Sequence, residues 1–181
     1  MRIRKAKPID EAAMVPLWYE MHSVHIPFSP SFYKLRSKQQ ALTAIRKHFQ
    51  DSIKEEGALI YVAVDGQEIV GYLKAKLTGR PPVFPTSHKV VLLDSVIIKQ
   101  SYRQQGIFLE FQKRLEADAR KLGAKHIQLS VDMLNSAKQV YEKAGYRPRQ
   151  VLMVKSLAKS KSKALTSNGV DILLVEDSLQ I

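Results

Sequence analysis

The chain has 181 residues, 45% of them hydrophobic and 25% charged, a size and balance typical of one globular domain with its own core. Lys and Arg number 29 against 17 Asp and Glu, a formal net charge of +12 that favours anionic partners. The absence of cysteine excludes disulfides, thiolate metal sites and cysteine nucleophiles. No apolar run reaches the roughly 18–20 residues that cross a bilayer, and no signal-peptide pattern opens the sequence. We therefore expect a cytoplasmic protein with no membrane partner.

The first third of the sequence predicts a short strand and two helices. Ile3–Ala6 has the composition of a strand, and residues 11–25 repeat apolar side chains at helical spacing, with Asp10 as the expected N-cap. Pro16 lies inside this helical pattern and should kink or restart the helix. An aromatic loop, IPFSPSFY, separates it from a second helix expected over residues 38–53.

The period then changes from helical to extended. Residues 59–64 and 68–77 flank Asp65-Gly66, which predicts a hairpin with a two-residue turn. In the second arm, Lys74 and Lys76 alternate with apolar residues, so that one face should be wet. After a proline-rich loop, TGRPPVFPTSH, the nearly continuous apolar run Lys89–Lys99 predicts a central strand covered on both faces.

The last third predicts alternating helices and strands. A helical stripe over 106–122 ends at Gly123, and strands at 126–131 and 150–157 flank a helix at 136–144. This order predicts an α/β sandwich with a mixed sheet. Beyond it, residues 158–181 combine a Lys/Ser-rich linker with a possible extra strand, VDILLVEDSL, that could pair within the chain or in a homodimer.

The segment SYRQQGIFLEF joins the predicted central strand to the following helix. In a β-α-β arrangement, ligands lie beyond the carboxyl ends of the strands, where the helix amino terminus presents free N–H groups and favours phosphate. Gly106 permits either a positive φ or the close approach of an anion. The turn alone leaves two interpretations open, a tight β-α turn and a phosphate site.

Two motifs carry a family resemblance. Arg103-Gln104-Gln105-Gly106-Ile107-Phe108 opens the helix after the central strand, and NSAKQVYEKAGY places Asn135, Tyr141 and Gly145-Tyr146 further on. Together they resemble the GNAT superfamily of acyl-CoA-dependent N-acyltransferases over residues 1–157, leaving the tail 158–181 outside. The resemblance implies a mixed, mostly antiparallel sheet with a parallel central strand pair and helices on both faces.

The resemblance also implies acetyl-CoA as a co-substrate and no metal. Backbone N–H groups at the start of the helix would bind the pyrophosphate, and the open edge of the central strand would pair with the pantetheine arm. Asn135 would orient that arm in the family, or serve as an ordinary helix cap. Phe108 stands where the family prefers a small residue, and we interpret it as packing into the core with Phe111 and Leu115. The implied cofactor-binding residues are Val96, Ile97, Ile98, Arg103, Gln104, Gln105, Gly106, Ile107, Phe108, Leu109 and Asn135.

Two residues are the expected catalytic groups. Tyr141 matches the family's general acid, since a phenol with a pKa of about 10 stays protonated at neutral pH; from its helix alone it would be a core residue. Asp94 is the candidate base for the acceptor ammonium, or else a hydrogen-bonded carboxylate at a bulge. His22 and His25 adjoin the aromatic loop, where the family's substrate pocket usually forms, but structural or surface roles are the ordinary ones for histidine.

The resemblance predicts an N-acetyltransferase in which a primary amine of a small molecule or peptide attacks acetyl-CoA directly in a ternary complex. The alternative is a GNAT-like, non-catalytic domain that binds nucleic acid through its basic surface. The motif residues favour the enzyme, because a pure binding domain needs no acid for a leaving group. Nucleic acid is therefore not the expected partner, and the acceptor amine cannot be read from the sequence.

Overall fold

A computed structural model describes residues 1–28, 36–79, 89–155 and 157. The first compact unit, Met1–Arg147, holds every helix and strand of these residues. Its elements are β1 Arg2–Lys5, α1 Glu11–His25, α2 Lys38–Lys54, β2 Ala58–Asp65, β3 Glu68–Thr78, β4 Lys89–Ile98, α3 Ile107–Lys121, β5 Ala124–Gln128 and α4 Ala137–Lys143.

The strands form one five-stranded sheet in the order β1-β2-β3-β4-β5. The first four strands pair antiparallel, and β4 and β5 form the one parallel pair of the described sheet. The predicted hairpin between β2 and β3 is present, but its two-residue turn is Gly66-Gln67, one residue later than expected, because Asp65 ends β2 and pairs with Glu68. The register between the two strands shifts at Ala63 and Val64. The mixed, mostly antiparallel sheet is therefore confirmed.

Helices cover the sheet on both faces. On one face, Phe111 and Leu115 of α3 pack against the buried side chains of β2, β3 and β4. On the other face, Phe49 of α2 meets Tyr72 of β3 edge to face, within a cluster that also includes α1. The period of 3.6 residues in α2 and α3 supplies these apolar stripes, so the two-sided packing expected for β4 is confirmed.

The parallel ladder between β4 and β5 is short. Their pairing runs from Lys89 to Leu92 of β4, and β5 ends at Gln128, so in the described sheet the carboxyl half of β4 pairs with β3 alone. A register shift opposite Lys74 and Ala75 leaves Asp94 as the extra residue of a bulge. Beyond Leu92, the edge of β4 on the side of β5 is therefore open within the described sheet, and α3 follows the end of this strand in the chain.

One expectation near the amino terminus, the side-chain cap by Asp10, is wrong in detail. The helix α1 continues through Pro16 without a restart. Asp10 occupies the N-cap position but makes no side-chain cap hydrogen bond. Its carboxylate instead binds both terminal nitrogens of the Arg4 guanidinium, at 2.6 and 2.8 Å, and accepts the Lys7 N–H at 2.6 Å. A bidentate charged pair is a stronger partner for this buried carboxylate than a helix N–H.

The expected wet face of β3 is partly wrong. Lys74 lies on the face that α2 covers, and its side chain is only 14% exposed. Lys76, further along the strand, is exposed and forms an ion pair with Glu55. The alternation of charge along β3 therefore reflects where α2 ends, and not a solvated face.

The strand expected at 150–157 is not formed in the described residues. Residues 148–155 and 157 belong to the second compact unit, Pro148–Ile181, and are exposed without helix or strand. A strand requires a neighbour for its N–H and C=O groups, and none of the strand pairs of the described residues includes this segment. Most of the proline-rich loop, part of the IPFSPSFY loop and the tail from residue 158 lie outside the described residues.

Candidate active site

The turn before α3 is shaped to present its backbone N–H groups. Gln104 and Gly106 both have positive φ, 62° and 78°, and Gly106 is the N-cap of α3. The first intrahelical bond runs from the Glu110 N–H to the Gly106 carbonyl at 3.1 Å, so the N–H groups of Ile107 and its two successors have no partner within the helix. A Cβ on Gly106 would meet nothing within 4 Å. Glycine is thus required by φ, and the space before the helix is open.

Two side chains of the motif hold this turn in place. The Arg103 Nε–H donates to the Ile98 carbonyl at 3.0 Å, and its guanidinium lies 4.0 Å from Glu20 of α1. The Gln105 amide donates to the Ser101 carbonyl at 3.0 Å. These side chains are used within the protein, which leaves the backbone N–H groups of the turn to face a ligand.

The backbone of Val96, Ile97 and Ile98 has one paired edge and one open edge. All three residues pair with β3, whereas β5 ends its pairing at Leu92 of β4. Gly71 of β3 permits close contact on the paired side, because a Cβ there would lie 2.7 Å from the Ile97 carbonyl. The other edge faces the opening between β4 and β5.

Asn135 uses both ends of its amide inside the protein. Its Oδ1 accepts the Ala137 N–H at 2.9 Å at the start of α4, and its Nδ2 lies 3.4 Å from His25 Nε2. The first contact is the capping role that the sequence left open. The second joins the end of α1 to the segment before α4, across the opening.

Tyr141 lies at the amino-terminal turn of α3. Its ring contacts Phe108 with a centroid distance of 5.6 Å and Tyr146 at 5.9 Å, both edge to face. Burial raises the pKa of the Tyr141 phenol, which keeps the hydroxyl protonated through neutral pH. Phe108 is half-buried and is not one of the core residues that Phe111 and Leu115 join. Its expected role as a core anchor is therefore wrong, and its partner is the candidate acid.

Asp94 projects from the β4 bulge into a polar cluster that the sequence did not predict. Lys74 Nζ lies 2.8 Å from Asp94 Oδ2 and 2.9 Å from His48 Nε2. Lys74 shares its face of β3 with the buried Tyr72, a period-2 signal that could have identified it as covered. Asp94 forms no hydrogen bond or ion pair with Tyr141.

The histidines around this cluster are held neutral. Burial and the nearby His25 lower the pKa of His22 to about 4, although the negative charge of Asp94 opposes the shift. Burial likewise lowers the pKa of His25 and, with help from Lys74, that of His48. Trp18 contacts His22 with ring centroids 4.0 Å apart. At neutral pH the imidazoles therefore add polarity and hydrogen-bonding capacity without positive charge.

The profile of the Acetyltransferase (GNAT) family matches residues 18–146. The chain belongs to this family. The fold agrees with that of a tetramutant of the BH1408 protein from Bacillus halodurans, at 23% identity and a TM-score of 0.77, covering 87% of this chain and all of the other. An aminoglycoside antibiotic 6'-N-acetyltransferase from Acinetobacter haemolyticus superposes with a TM-score of 0.67 at 13% identity, over 86% and 97% of the two chains.

A third GNAT fold is that of an acetyltransferase from Vibrio fischeri, with 21% identity, a TM-score of 0.58 and coverage of 71% of this chain and 94% of the other. No curated protein sequence matches the chain. The described residues contain no group of three or more His, Asp or Glu side chains placed to hold a metal ion. In the same residues, no helix combines the length and apolarity that crossing a membrane requires.

Proposed function

We propose that this GNAT protein transfers an acetyl group from acetyl-CoA to a primary amine of a small molecule or peptide. One observation carries the proposal. The Phe108–Tyr141 contact places the candidate leaving-group acid at the same end of α3 as the N–H groups of Gln104 through Leu109. A pyrophosphate donor set and a phenol beside one open strand edge are what a CoA thioester requires.

The residues at the site fit acetyl-CoA. The positive φ of Gly106 and the open space before α3 suit the approach of a pyrophosphate. The amides of the pantetheine arm match the edge of Val96–Ile98 that β5 does not pair, where the Ile98 carbonyl already accepts from Arg103. The N–H groups of this edge would also polarise the thioester carbonyl. The net charge of +12 attracts this polyanionic co-substrate.

In the proposed reaction, the amine nitrogen forms a bond to the acetyl carbon as the bond from carbon to sulfur breaks. The acceptor arrives as an ammonium and gives its proton to Asp94, directly or through water. The Tyr141 hydroxyl gives its proton to the departing thiolate and regains one from the nitrogen, which loses its second proton, directly or through water, as the amide forms. Lys74 occupies Oδ2 of Asp94, so the acceptor approaches the other carboxylate oxygen.

The acceptor class is supported by the acceptor side of the site and by the fold relatives. Neutral imidazoles beside a carboxylate suit an amine, since they add no repelling charge. One structure of the same fold is an aminoglycoside acetyltransferase in complex with sisomicin, from an uncultured soil metagenome. We extend the amine class, and not that compound, to this chain. Cytoplasmic location and a homodimer stay predictions.

The test combines a binding measurement with a turnover measurement. Millimolar acetyl-CoA should raise the melting temperature, because a ligand at about 100 times its Kd stabilises by about 2.7 kcal/mol. Free CoA is then followed with aminoglycosides, polyamines, lysine peptides and free peptide N-termini as acceptors. An unchanged melting temperature would overturn the proposal. Tight, salt-sensitive binding of an oligonucleotide without any CoA release would instead favour the nucleic-acid alternative.

A further inference from the structure

Three aromatic rings from three parts of the chain meet at the start of α3. The Tyr141 ring lies between Phe108 of α3 and Tyr146, which follows α4, and each contact is edge to face. The Tyr146 hydroxyl donates to Gln112 Oε1 at 3.1 Å, and its N–H donates to the Tyr141 carbonyl at 3.0 Å. Hydrogen bonds thus hold Tyr146 to both α3 and α4, and its ring packs against the Tyr141 ring.

Phe108 makes the second ring contact with Tyr141. It is the second residue of α3, one position after the fully buried Ile107 and one turn before the buried Gln112. The backbone of an α-helix anchored by Ile107 and Phe111 in the core gives Phe108 little freedom to move. A small residue at this position would leave one edge of the Tyr141 ring without a neighbour. The hydroxyl of Tyr141 has no hydrogen-bond partner among the described residues, so ring packing is what sets its direction.

We infer that Phe108 is a positioning residue for Tyr141, which together with Tyr146 holds the phenol in the orientation that protonates the departing CoA thiolate. This inference rests on the proposed function, in which Tyr141 is the acid. It assigns a role to the one position where the motif departs from the small residue that the family resemblance leads one to expect. The large side chain supports the acid and leaves the backbone N–H groups of α3 to bind the pyrophosphate.

The inference predicts that substitutions of Phe108 change kcat but not the KM for acetyl-CoA. An edge-to-face contact is equivalent to a factor of about two to ten in an equilibrium. Because Phe108 acts on the acid and not on the N–H groups, Phe108→Ala should lower kcat by up to about tenfold without raising the KM for acetyl-CoA. Phe108→Tyr keeps the ring edge and should restore most of the kcat that Phe108→Ala loses. Phe108→Leu keeps bulk without a ring edge and should lie between the two.

A second readout does not depend on turnover. Burial raises the pKa of Tyr141, and removing the neighbouring ring admits water, so Phe108→Ala should move that pKa down towards about 10. The phenolate absorbance is followed as pH rises in wild type and in Phe108→Ala, and each titration is repeated in the same background with Tyr141→Phe. The difference within each pair is the absorbance of the Tyr141 phenolate alone. Val140→Ala, an exposed neighbour on α4, is the matched control and should change neither kcat nor the Tyr141 titration.

The outcomes are distinct from those that test the proposed function. If wild type neither binds acetyl-CoA nor releases CoA with any acceptor, the proposed function fails. If wild type is active but Phe108→Ala keeps its kcat and the Tyr141 titration, the positioning role is wrong. A raised KM for acetyl-CoA with unchanged kcat would also overturn it, because Phe108 would then act on cofactor binding. Phe108→Leu, which conserves volume, repeats the test should Phe108→Ala fail to fold.

Discussion

A single methyl group added at Gly106 tests whether the backbone N–H groups at the start of α3 bind the pyrophosphate. Gly106 has φ of 78° and no neighbour within 4 Å of an added Cβ. Gly123, just beyond the other end of α3, has the same φ of 78° and the same open surroundings. Gly106→Ala and Gly123→Ala therefore impose the same backbone strain at the two ends of one helix, and only the first adds a methyl group where the phosphates are proposed to lie.

The magnitudes follow from the backbone angles. Left-handed backbone costs alanine roughly 1–2 kcal/mol, and the lower entropy of the unfolded alanine chain offsets about 0.4–1 kcal/mol of this. Each variant should therefore lose about 1 kcal/mol of unfolding free energy, which lowers Tm by about 2–4 °C in a chain of this length. Acetyl-CoA affinity should fall at least about tenfold in Gly106→Ala, or about 1.4 kcal/mol, and stay unchanged in Gly123→Ala.

Calorimetric titration of acetyl-CoA into wild type and both variants measures the effect, with the thermal midpoints of the free proteins as the internal check on strain. We expect the two variants to have the same thermal midpoint as each other, and only Gly106→Ala to lose affinity for acetyl-CoA. If both variants bind as tightly as wild type, the N–H groups before α3 do not hold the pyrophosphate. A similar loss of affinity in both variants would show that backbone strain in α3 lowers acetyl-CoA affinity, and would refute a steric effect of the methyl group at the pyrophosphate site.

Three further predictions concern the catalytic pair and one buried ion pair. Tyr141→Phe should lower kcat by about 10²-fold, the lower end for a general acid, with acetyl-CoA binding unchanged by calorimetry; unchanged turnover would remove its assignment as the acid. Asp94→Asn should lower kcat/KM by about 10²-fold with acetyl-CoA binding unchanged by calorimetry; unchanged turnover would assign the base elsewhere. Asp10→Asn should destabilise the fold by about 1.5–3 kcal/mol at pH 7, measured by urea unfolding. Because Arg4 holds the pKa of Asp10 below its ordinary value of 3.8, this contribution is present above that value and is lost as pH falls through the folded-state pKa; a difference that persists at pH 2 would contradict the pairing.

The parts of the fold that local patterns encode could be predicted from the sequence. The hairpin joins β2 and β3, which are adjacent in the chain, and the helical period of α3 repeats within one element, so both are present in the structure, with the turn at Gly66-Gln67. The helix that contains Tyr141 was predicted at nearly its observed bounds for the same reason. In each case the signal and the structure that it specifies lie within a few residues of each other.

Contacts between distant elements could not be predicted in this way. Lys74 meets Asp94 across 20 residues of sequence and His48 across 26, and only the packing of α2 on the sheet brings the three together. Charge alternation along β3 was interpreted as a wet face because the sequence does not show where α2 lies. The strand prediction at 150–157 was wrong for another reason. The composition of this segment favours a strand, but β-propensity does not provide a neighbouring strand with which it can pair.

Phe108 shows how one helical position decides between two roles. The predicted stripe included Phe108 with Phe111 and Leu115, whereas the buried residues are Ile107, Phe111 and Leu115, spaced by four. That shift of one residue rotates Phe108 by about 100° from the core-facing line and towards α4.

The charges of the molecule serve the two proposed substrates differently. The overall charge of +12 favours the polyanionic co-substrate but repels an ammonium, so the acceptor side must offset the long-range field locally. It does so with the carboxylate of Asp94 and with imidazoles that burial keeps neutral. Lys74 is the exception: its ammonium lies 2.8 Å from Oδ2 of Asp94 and 2.9 Å from His48 Nε2, and so offsets part of the attraction of that carboxylate for an amine. A protonated histidine would add a second repelling charge, so under the proposed function the burial of the imidazoles favours amine binding as well as packing.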